Sequence, residues 1–230
     1  YFTAPMQTDK AIILLGGKGT RLSALFPDRP KALAPVAGRP FLAWQLEWLF
    51  ASKIERVLLA AGHMGAQIRE WVSRQPFKNR DSVSIEPKPL GTGGAVKYAL
   101  GRRRKGAVLV LNGDSLLPNM DFAGMAASFA ASGLPCTIAV TRIEDAGRYG
   151  AVKFGRNGTV TGFEEKKQRG AGWINAGIYL LEASVFASIR TGTCVSIENE
   201  IFPALAAKGR LAVFNSKPPL LDMGTPEGLR

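Results

Sequence analysis

Short apolar segments alternate with longer segments of helical periodicity along the first half of the chain. The short segments are rich in Val, Leu, Ile and Ala, which is typical of strands buried on both faces of a sheet. The predicted strands are residues 11–15, 56–61, 83–86 and 107–111, and the predicted helices are residues 41–52, 65–74 and 93–100. This alternation indicates right-handed βαβ units and a mostly parallel sheet with helices on both faces.

The second half of the chain changes to a β-rich pattern. The sequence GRNG at residues 155–158 is typical of a hairpin turn between two strands. We predict strands at 151–154, 159–163 and 173–181, then short helices at about 183–189 and 197–207, the second capped by Ser196. The predicted fold is therefore α/β, with a Rossmann-like, mixed, mostly parallel sheet, helices on both faces and a small β-rich part packed onto the same sheet.

The length of 230 residues fits one domain, residues 1–230, whose two halves are roughly residues 6–135 and 136–230. Residues 1–5 precede Met6 and form neither a charged n-region nor an apolar h-region. We expect these five residues to be a cloning remnant, with Met6 as the native start.

The charge balance is strongly basic, with 30 Lys and Arg residues against 18 Asp and Glu residues and a net charge of +12. The dense basic run at 102–105 (Arg102, Arg103, Arg104 and Lys105) lies at a predicted helix end, where the helix dipole favours cations. A nucleic-acid surface would need a longer basic face with interleaved aromatic residues, and a membrane span would need roughly 18 apolar residues. We therefore expect no nucleic-acid partner, no membrane partner, a cytoplasmic location and a positive field that gathers small anions.

Cysteine and histidine are too few to build a metal site or a disulfide framework. Cys136 and Cys194 lack metal-ligand spacing, and Cys136 lies in an apolar run that predicts a core position. His63 is the only histidine, and we expect it in a surface loop after the second predicted strand.

A glycine-rich turn follows the first predicted strand. Gly16, Gly17 and Gly19 leave a backbone with few side chains, so several N–H groups can approach an anion. Arg21 provides a planar fork of donors for phosphate oxygens, and Lys31 provides a compact positive charge. The segment matches neither a Walker loop nor the GxGxxG loop. These residues favour the binding of a triphosphate.

Two aspartates follow apolar segments in distant parts of the chain. Asp114 comes after VLVLNG, and Asp222 comes after PPLL. If both lie at strand ends, they can converge on one Mg²⁺, a hard cation that prefers oxygen ligands and keeps several waters. The alternative is that each aspartate only caps a turn, where Asp is a favoured residue.

Seven motifs occur in the order found in the sugar-1-phosphate nucleotidylyltransferases, and the chain resembles that family over nearly its whole length. They are GGxGTRL with Pro30-Lys31, LGTGGA at 90–95, Asn112-Gly113-Asp114, Tyr149-Gly150, FEEK at 163–166, NAGIY at 175–179 and DMGTP at 222–226. The resemblance implies the nucleotide-diphospho-sugar transferase fold, with a nucleotide-binding half at 6–135 and a sugar-phosphate-binding half at 136–230. It also implies nucleotidyl transfer from a nucleoside triphosphate to a sugar 1-phosphate, with release of pyrophosphate.

The resemblance further implies roles for individual residues. Arg21, Lys31 and Asp114 would be catalytic, and Asp114 and Asp222 would hold the cofactor Mg²⁺. Glu86 would bind the base, because a carboxylate fits the N1–H and N2–H₂ donors of guanine, although uracil and thymine also offer one N–H. The other nucleotide contacts would come from Leu15, Gly16, Gly17, Gly19, Thr20, Arg21, Gly91, Thr92 and Gly93. The sugar phosphate would be bound by Tyr149, Gly150, Glu165, Lys166 and Asn175.

The segments GWINAGIY, PLGTGGAVKYAL and DMGTPEG are most similar to the branch that acts on GTP and D-glycero-α-D-manno-heptose 1-phosphate. Such a reaction would supply surface polysaccharide synthesis. The alternatives within the family are mannose-1-phosphate guanylyl transfer and uridylyl or thymidylyl transfer, and the alternative from another class is a non-catalytic nucleotide-sugar sensor. A homo-oligomer is left open by the sequence. Glu198 is assigned to the helix dipole and left out of the site.

Overall fold

A computed structural model describes residues 10–17, 26–103, 105–147, 149–164 and 170–224. The strands in these residues are β1 (Lys10–Leu15), β2 (Pro35–Val36), β3 (Arg39–Pro40), β4 (Arg56–Ala61), β5 (Asp81–Ile85), β6 (Ala107–Asn112), β7 (Ser115–Leu116), β8 (Cys136–Ile143), β9 (Val152–Phe154), β10 (Val160–Phe163), β11 (Gly172–Glu182), β12 (Ala212–Ser216) and β13 (Leu221–Asp222). The helices are α1 (Phe41–Ala51), α2 (Gly65–Ser73), α3 (Gly91–Leu100), α4 (Phe122–Ser132) and α5 (Phe202–Ala206). Single 3₁₀ turns lie at Lys31–Leu33 and Ala183–Phe186, and a π-helical turn at Ile197–Ile201 leads directly into α5.

The central sheet has seven strands in the order β12-β8-β11-β6-β1-β4-β5. β1 runs parallel to β4 and β6, β4 runs parallel to β5, and β8 runs parallel to β12. β11 is antiparallel to both β6 and β8 and so joins the two parallel parts. The predicted mixed, mostly parallel sheet is therefore confirmed, and β9 and β10 form a separate antiparallel hairpin.

Apolar side chains cover both faces of this sheet. Because successive residues of a strand point to opposite faces, Ile13 packs on the side of α1, α2 and α4, whereas Ile12 packs on the side of α3 and the π-helical turn. Leu111 and Val110 of β6 divide between the two faces in the same way. Burying each such side chain contributes about 1.5–3 kcal/mol. This two-sided burial explains why these strands are continuously apolar in sequence.

Helical structure in the second half differs from the prediction. The predicted helix at 183–189 is a 3₁₀ turn at Ala183–Phe186. The predicted helix at 197–207 begins as the π-helical turn, and its N-cap Ser196 accepts a hydrogen bond from the Asn199 N–H. α4 is absent from the sequence-based prediction, although its buried residues Phe122, Met125 and Phe129 follow helical spacing.

The cysteines and the basic run also have defined places. Cys136 is buried in β8, whereas Cys194 is exposed, and both are free thiols. α3 ends at Leu100, directly before the basic run, of which Arg104 lies outside the described residues. Within the described ranges, no helix is both long enough and apolar enough to cross a membrane.

Asp81, the first residue of β5, has both carboxylate oxygens buried without a hydrogen-bond partner. Burial raises the pKa of this carboxyl from its ordinary 3.8 to about 7, against the opposing effect of the charge on Arg80. The folded protein therefore holds this proton more tightly than the unfolded chain does. The resulting stabilisation is fully present below the ordinary pKa and is lost as the pH rises through about 7.

We expect Asp81→Asn to raise the Tm by a few degrees at about pH 8 and to leave it nearly unchanged at about pH 4, because the amide carries no charge at either pH. Thermal unfolding followed by circular dichroism at both pH values measures this difference. Asp121→Asn is the matched control, because Asp121 is an exposed N-cap of α4 and asparagine caps a helix equally well. An equal rise of the Tm at both pH values would contradict the assignment.

Candidate active site

A cleft of about 1610 Å³ opens at the carboxyl ends of the parallel strands, where the turns after β1, β4 and β6 meet. Many of the residues that the sequence assigns to substrate or metal binding line this cleft. They are Leu15, Gly16, Gly17, Lys31, Glu86, Gly91, Thr92, Asp114, Tyr149, Gly150, Asn175 and Asp222. Gly93 is buried and does not line the cleft. The remaining expected residues lie outside the described part of the chain, and they are Gly19, Thr20, Arg21, Glu165 and Lys166.

Asp114 and Asp222 lie side by side, although they are far apart in the sequence. β13 pairs with β7 so that Asp222 is opposite Ser115, and the Met223 N–H donates to the Asp114 carbonyl at 2.9 Å. Lys31 Nζ lies 2.7 Å from Asp114 Oδ2 in a partly buried ion pair. The fold therefore brings one cation and two carboxylates to the same part of the cleft.

These two carboxylates suit a small, hard cation. Mg²⁺ commonly takes one or two carboxylates from a protein and completes its shell with waters and substrate phosphates. Asp114 Oδ1 accepts a hydrogen bond from the Ser115 hydroxyl at 3.2 Å, and Asp222 Oδ1 accepts one from the Gly224 N–H at 2.7 Å. Among the described residues, no group of three or more His, Cys, Asp and Glu could hold a metal. The donor set fits a cation that is shared with a phosphate ligand.

Gln45 holds the turn that carries Asp114. Its side chain is fully buried in α1, and Nε2 donates to the Asn112 carbonyl at 3.0 Å and to the Ser115 carbonyl at 2.8 Å. These two carbonyls flank Asp114, so the amide fixes the backbone on both sides of that carboxylate. No local sequence signal indicates this role, because the surrounding FLAWQLEWLF predicts only a core-facing helix.

Glu86 follows β5 and enters the cleft between two glycines. Its Oε1 lies 2.5 Å from the place where a Cβ on Gly62 would be and 2.9 Å from the corresponding place on Gly16, so a side chain at either position would displace the Glu86 carboxylate. The Leu90 N–H donates to Oε2 at 3.2 Å. Burial raises the pKa of Glu86 above its ordinary value, and the bond from Leu90 opposes this shift. His63 lies in the loop after β4, as predicted, and also lines the cleft.

Glu198 lines the same cleft, although its sequence context predicts only a charge at a helix end. Its carboxylate accepts hydrogen bonds from three hydroxyl groups, those of Thr92 at 2.7 Å, Ser196 at 3.2 Å and Tyr179 at 3.3 Å. It belongs to the π-helical turn, a geometry that is frequent at functional sites. Since nothing in SIENEI distinguishes a π-helical turn from the first turn of an α-helix, the sequence could not place this side chain in the cleft.

Tyr179 connects Glu198 with two asparagines. Its side chain is fully buried, and its hydroxyl accepts hydrogen bonds from Asn112 Nδ2 at 3.2 Å and from Asn175 Nδ2 at 3.1 Å. Burial raises the pKa of Tyr179 well above its ordinary value, and the charges of Glu198 and Asp114 add to this rise while the two asparagines oppose it. The phenol therefore stays protonated, and its hydroxyl donates a hydrogen bond to the Glu198 carboxylate.

The second half of the chain also adds an aromatic surface to the cleft wall. Phe163 is 37% exposed, and its ring stacks on that of Phe202 with centroids 6.3 Å apart. Asn175 lies in the same wall, where its Oδ1 accepts a hydrogen bond from the Gly177 N–H at 2.9 Å. This part of the cleft therefore combines fixed polar groups with an exposed apolar ring.

Known proteins of similar sequence include guanylyltransferases. The chain is 34% identical over 221 residues to the D-glycero-alpha-D-manno-heptose 1-phosphate guanylyltransferase of Campylobacter jejuni, covering 95% of this chain and 96% of that protein. It is also 34% identical over 221 residues to the mannose-1-phosphate guanylyltransferase of Mycobacterium tuberculosis, covering 94% of this chain. The chain spans 61% of the length of that second relative.

The fold and the family model agree with these similarities. The crystal structure of HddC from Yersinia pseudotuberculosis complexed with GMP-PN superposes with a TM-score of 0.85, at 29% identity and over 96% of each chain. A family model described as nucleotidyl transferase matches residues 10–230. The chain therefore belongs to the nucleotidyl transferase family.

Proposed function

We propose that this chain transfers a guanylyl group from GTP to D-glycero-α-D-manno-heptose 1-phosphate. A phosphate oxygen of the sugar phosphate attacks the α-phosphorus of GTP, the bond from that phosphorus to the bridging oxygen of the leaving group breaks, and GDP-heptose and pyrophosphate form. The product would serve the synthesis of a surface polysaccharide such as a capsule. The observation that carries the proposal is that one cleft holds Glu86, the Lys31–Asp114–Asp222 cluster and Glu198.

Two observations bear on the choice of sugar. The segments GWINAGIY and DMGTPEG and the similarity to the Campylobacter jejuni protein support the heptose. Mannose 1-phosphate is the second candidate, because the Mycobacterium tuberculosis protein named for that substrate is equally identical, at 34%. Both relatives are named guanylyltransferases, which supports GTP in either case.

Glu86 supports guanine as the base. Guanine presents N1–H and N2–H₂ as adjacent donors, and an ionised carboxylate can accept hydrogen bonds from both. Although Oε2 already accepts from the Leu90 N–H, each carboxylate oxygen has two lone pairs, so both oxygens can still accept from a base. A hydrogen bond to a charged group contributes about 1.5–3 kcal/mol, so this pair would dominate the choice of base.

Lys31, Asp114 and Asp222 are assigned to the reacting phosphates. Mg²⁺ held by the two aspartates would neutralise charge on the triphosphate and polarise the phosphoryl group under attack. Lys31 lies beside Asp114, so its ammonium can also contact phosphate oxygens that bind next to that carboxylate. Arg21 is assigned to the leaving pyrophosphate and Lys166 to the sugar phosphate, and both lie outside the described residues.

The sugar is assigned to the part of the cleft built by the second half of the chain. Asn175 and Glu198 offer polar atoms to sugar hydroxyls, and Phe163 offers an apolar face to the C–H side of a sugar ring. Tyr149 and Gly150 line the same cleft, and they complete this set together with Glu165, which lies outside the described residues.

The test of the proposal is pyrophosphate release with each of the four nucleoside triphosphates against heptose, mannose and glucose 1-phosphates, with Mg²⁺. Turnover that prefers GTP and the heptose supports the proposal. Preference for mannose 1-phosphate keeps guanylyl transfer and replaces the sugar, and preference for another nucleotide overturns the assignment of the base. Nucleotide binding without turnover of any pair overturns catalysis and favours a nucleotide-sugar sensor.

We expect the KM for GTP to depend on the ionisation of Glu86. Because burial raises its pKa, this carboxyl takes up a proton at a higher pH than an exposed glutamate does. The protonated carboxyl accepts less well from guanine, so the KM for GTP should rise as the pH falls through that pKa. Initial rates over a pH series in the wild type and in Glu86→Gln measure the effect. If the KM for GTP rises equally in the wild type and in Glu86→Gln as the pH falls, the titrating group is not Glu86.

A further inference from the structure

The hydroxyl of Thr92 is directed at the second half of the chain. It donates to Glu198 Oε2 at 2.7 Å and accepts from the Ile197 N–H at 2.7 Å. A threonine hydroxyl has one proton, and here that proton is committed to Glu198. The hydroxyl proton of Thr92 is therefore engaged by Glu198, and the nucleotide-binding role expected from the sequence would fall to the other atoms of Thr92.

The backbone around Thr92 is locked to the same segment. The N–H groups of Gly93 and Gly94 donate to the Val195 carbonyl at 2.8 and 3.2 Å, and the Val195 N–H donates to the Leu90 carbonyl at 2.9 Å. A Cβ on Gly94 would lie 2.4 Å from the Thr193 carbonyl oxygen. A Cβ on Gly93 would lie 3.2 Å from the Val195 carbonyl oxygen. The glycines at the start of α3 are thus explained by close packing against residues 193–195. This packing fixes the position from which the Thr92 hydroxyl acts.

Of the three hydroxyl groups bonded to Glu198, Thr92 makes the shortest contact. Its bond of 2.7 Å compares with 3.2 Å from Ser196 and 3.3 Å from Tyr179. Ser196 lies only two residues from Glu198 and also caps the π-helical turn, so it moves with that turn. Thr92 comes from a different element, α3, and so holds the carboxylate relative to the rest of the cleft.

We propose that Thr92 is a positioning residue for the acceptor sugar: its hydroxyl holds the Glu198 carboxylate in the direction from which that carboxylate accepts a sugar hydroxyl. The inference rests on the proposed function, because it assigns the sugar to the part of the cleft that contains Glu198. It gives the LGTGG turn a role in recognising the sugar 1-phosphate as well as in shaping the nucleotide side of the cleft.

The test is Thr92→Val, which keeps the branched shape and removes the hydroxyl, with Thr92→Ser as the matched variant that keeps it. We expect Thr92→Val to raise the KM for the sugar 1-phosphate by about tenfold, because one charge-assisted hydrogen bond is lost. The KM for GTP should stay within about twofold of the wild-type value. Serine should restore the wild-type KM for the sugar 1-phosphate. An equal rise of both KM values, or serine that behaves like valine, would overturn the proposal.

A double-mutant cycle separates positioning from a direct contact. If Thr92 acts through Glu198, then Thr92→Val should change sugar 1-phosphate affinity far less in a Glu198→Ala background, which has no side-chain oxygen to position, than in the wild type. Additive effects would overturn the proposal. If Thr92→Val lowers the Tm, Thr92→Ala serves as the hydroxyl-free variant in its place.

Affinities measured without turnover keep this test separate from the proposed reaction. Calorimetric titration of heptose or mannose 1-phosphate into protein saturated with a non-hydrolysable GTP analogue gives the sugar-phosphate Kd directly. If the wild type binds both ligands and turns over neither, the catalytic proposal fails while the Thr92 comparison is still measured. If Thr92→Val leaves the sugar-phosphate Kd unchanged in a protein that turns over normally, the positioning proposal fails alone.

Discussion

Replacing Asp114 or Asp222 with asparagine is expected to slow pyrophosphate release by about 10³-fold, because in the proposed reaction each aspartate supplies one of two charged oxygen donors to the cation at the reacting phosphates. Asparagine keeps the size of the side chain and can keep the local hydrogen bonds from Ser115 and Gly224. In Asp114→Asn the ammonium of Lys31 also loses the negative charge of the carboxylate that lies 2.7 Å away. Steady-state rates at saturating GTP, sugar 1-phosphate and Mg²⁺ measure the effect.

The same aspartate variants need a control for folding and a readout for the cation. Asp121→Asn changes an aspartate that only caps α4, so its rate should equal that of the wild type. Circular dichroism and the Tm report whether the Asp114 and Asp222 variants keep the fold. Binding of Mn²⁺ in the presence of GTP should weaken in both. Near-normal rates in either variant would show that its carboxylate does not hold the cation.

Replacing Glu86 with glutamine is expected to lower kcat/KM for GTP by about 10²-fold, because guanine loses hydrogen bonds to a charged acceptor worth about 1.5–3 kcal/mol each. In Glu86→Gln the Leu90 N–H should donate to the oxygen of the new amide. The NH₂ group of that amide then lies beside Gly16 and Gly62. An NH₂ group there faces the donors of guanine but can donate to a carbonyl of uracil or thymine. The variant should therefore lose more activity with GTP than with UTP or TTP.

The measurement is kcat/KM for GTP, ATP, CTP, UTP and TTP at one fixed concentration of sugar 1-phosphate. Glu70→Gln is the matched control, because Glu70 is exposed on α2 and pairs with Arg74 outside the cleft. The control should leave the order of preference among the nucleotides unchanged. A loss of equal size with every nucleotide in Glu86→Gln would show that Glu86 supports the fold of the cleft rather than the choice of base.

The parts of the fold that follow from sequence are those in which one local pattern decides the structure. β1 and β4 are continuously apolar because both of their faces are buried, and the predicted bounds lie within one residue of the observed ones. The turns that carry Gly16 and Asp114 fall at strand ends, and in a parallel sheet such ends meet at one edge. Order along the chain was therefore enough to indicate where the cleft lies.

The parts that escaped prediction depend on contacts between distant segments. Gln45 is one polar residue within an apolar helix, and only the fold shows that its amide reaches the two carbonyls around Asp114. Glu198 follows a good N-cap, Ser196, so local rules assign it to a helix end. Its place in the cleft depends on the hydroxyl of Thr92, more than a hundred positions earlier in the chain. No local signal encodes such a contact.

The short pairing of β13 with β7 has a consequence for how this chain matures. Asp222 lies beside Asp114 in that two-stranded ribbon. Contacts between segments so distant in sequence carry a large loop-closure entropy, and they are slow to form. A nascent or partly refolded chain could thus assemble β1, β4, β5 and β6 and still lack one of the two carboxylates proposed to hold the cation. During refolding, enzymatic activity would then appear only when β13 pairs with β7, later than the formation of the central sheet.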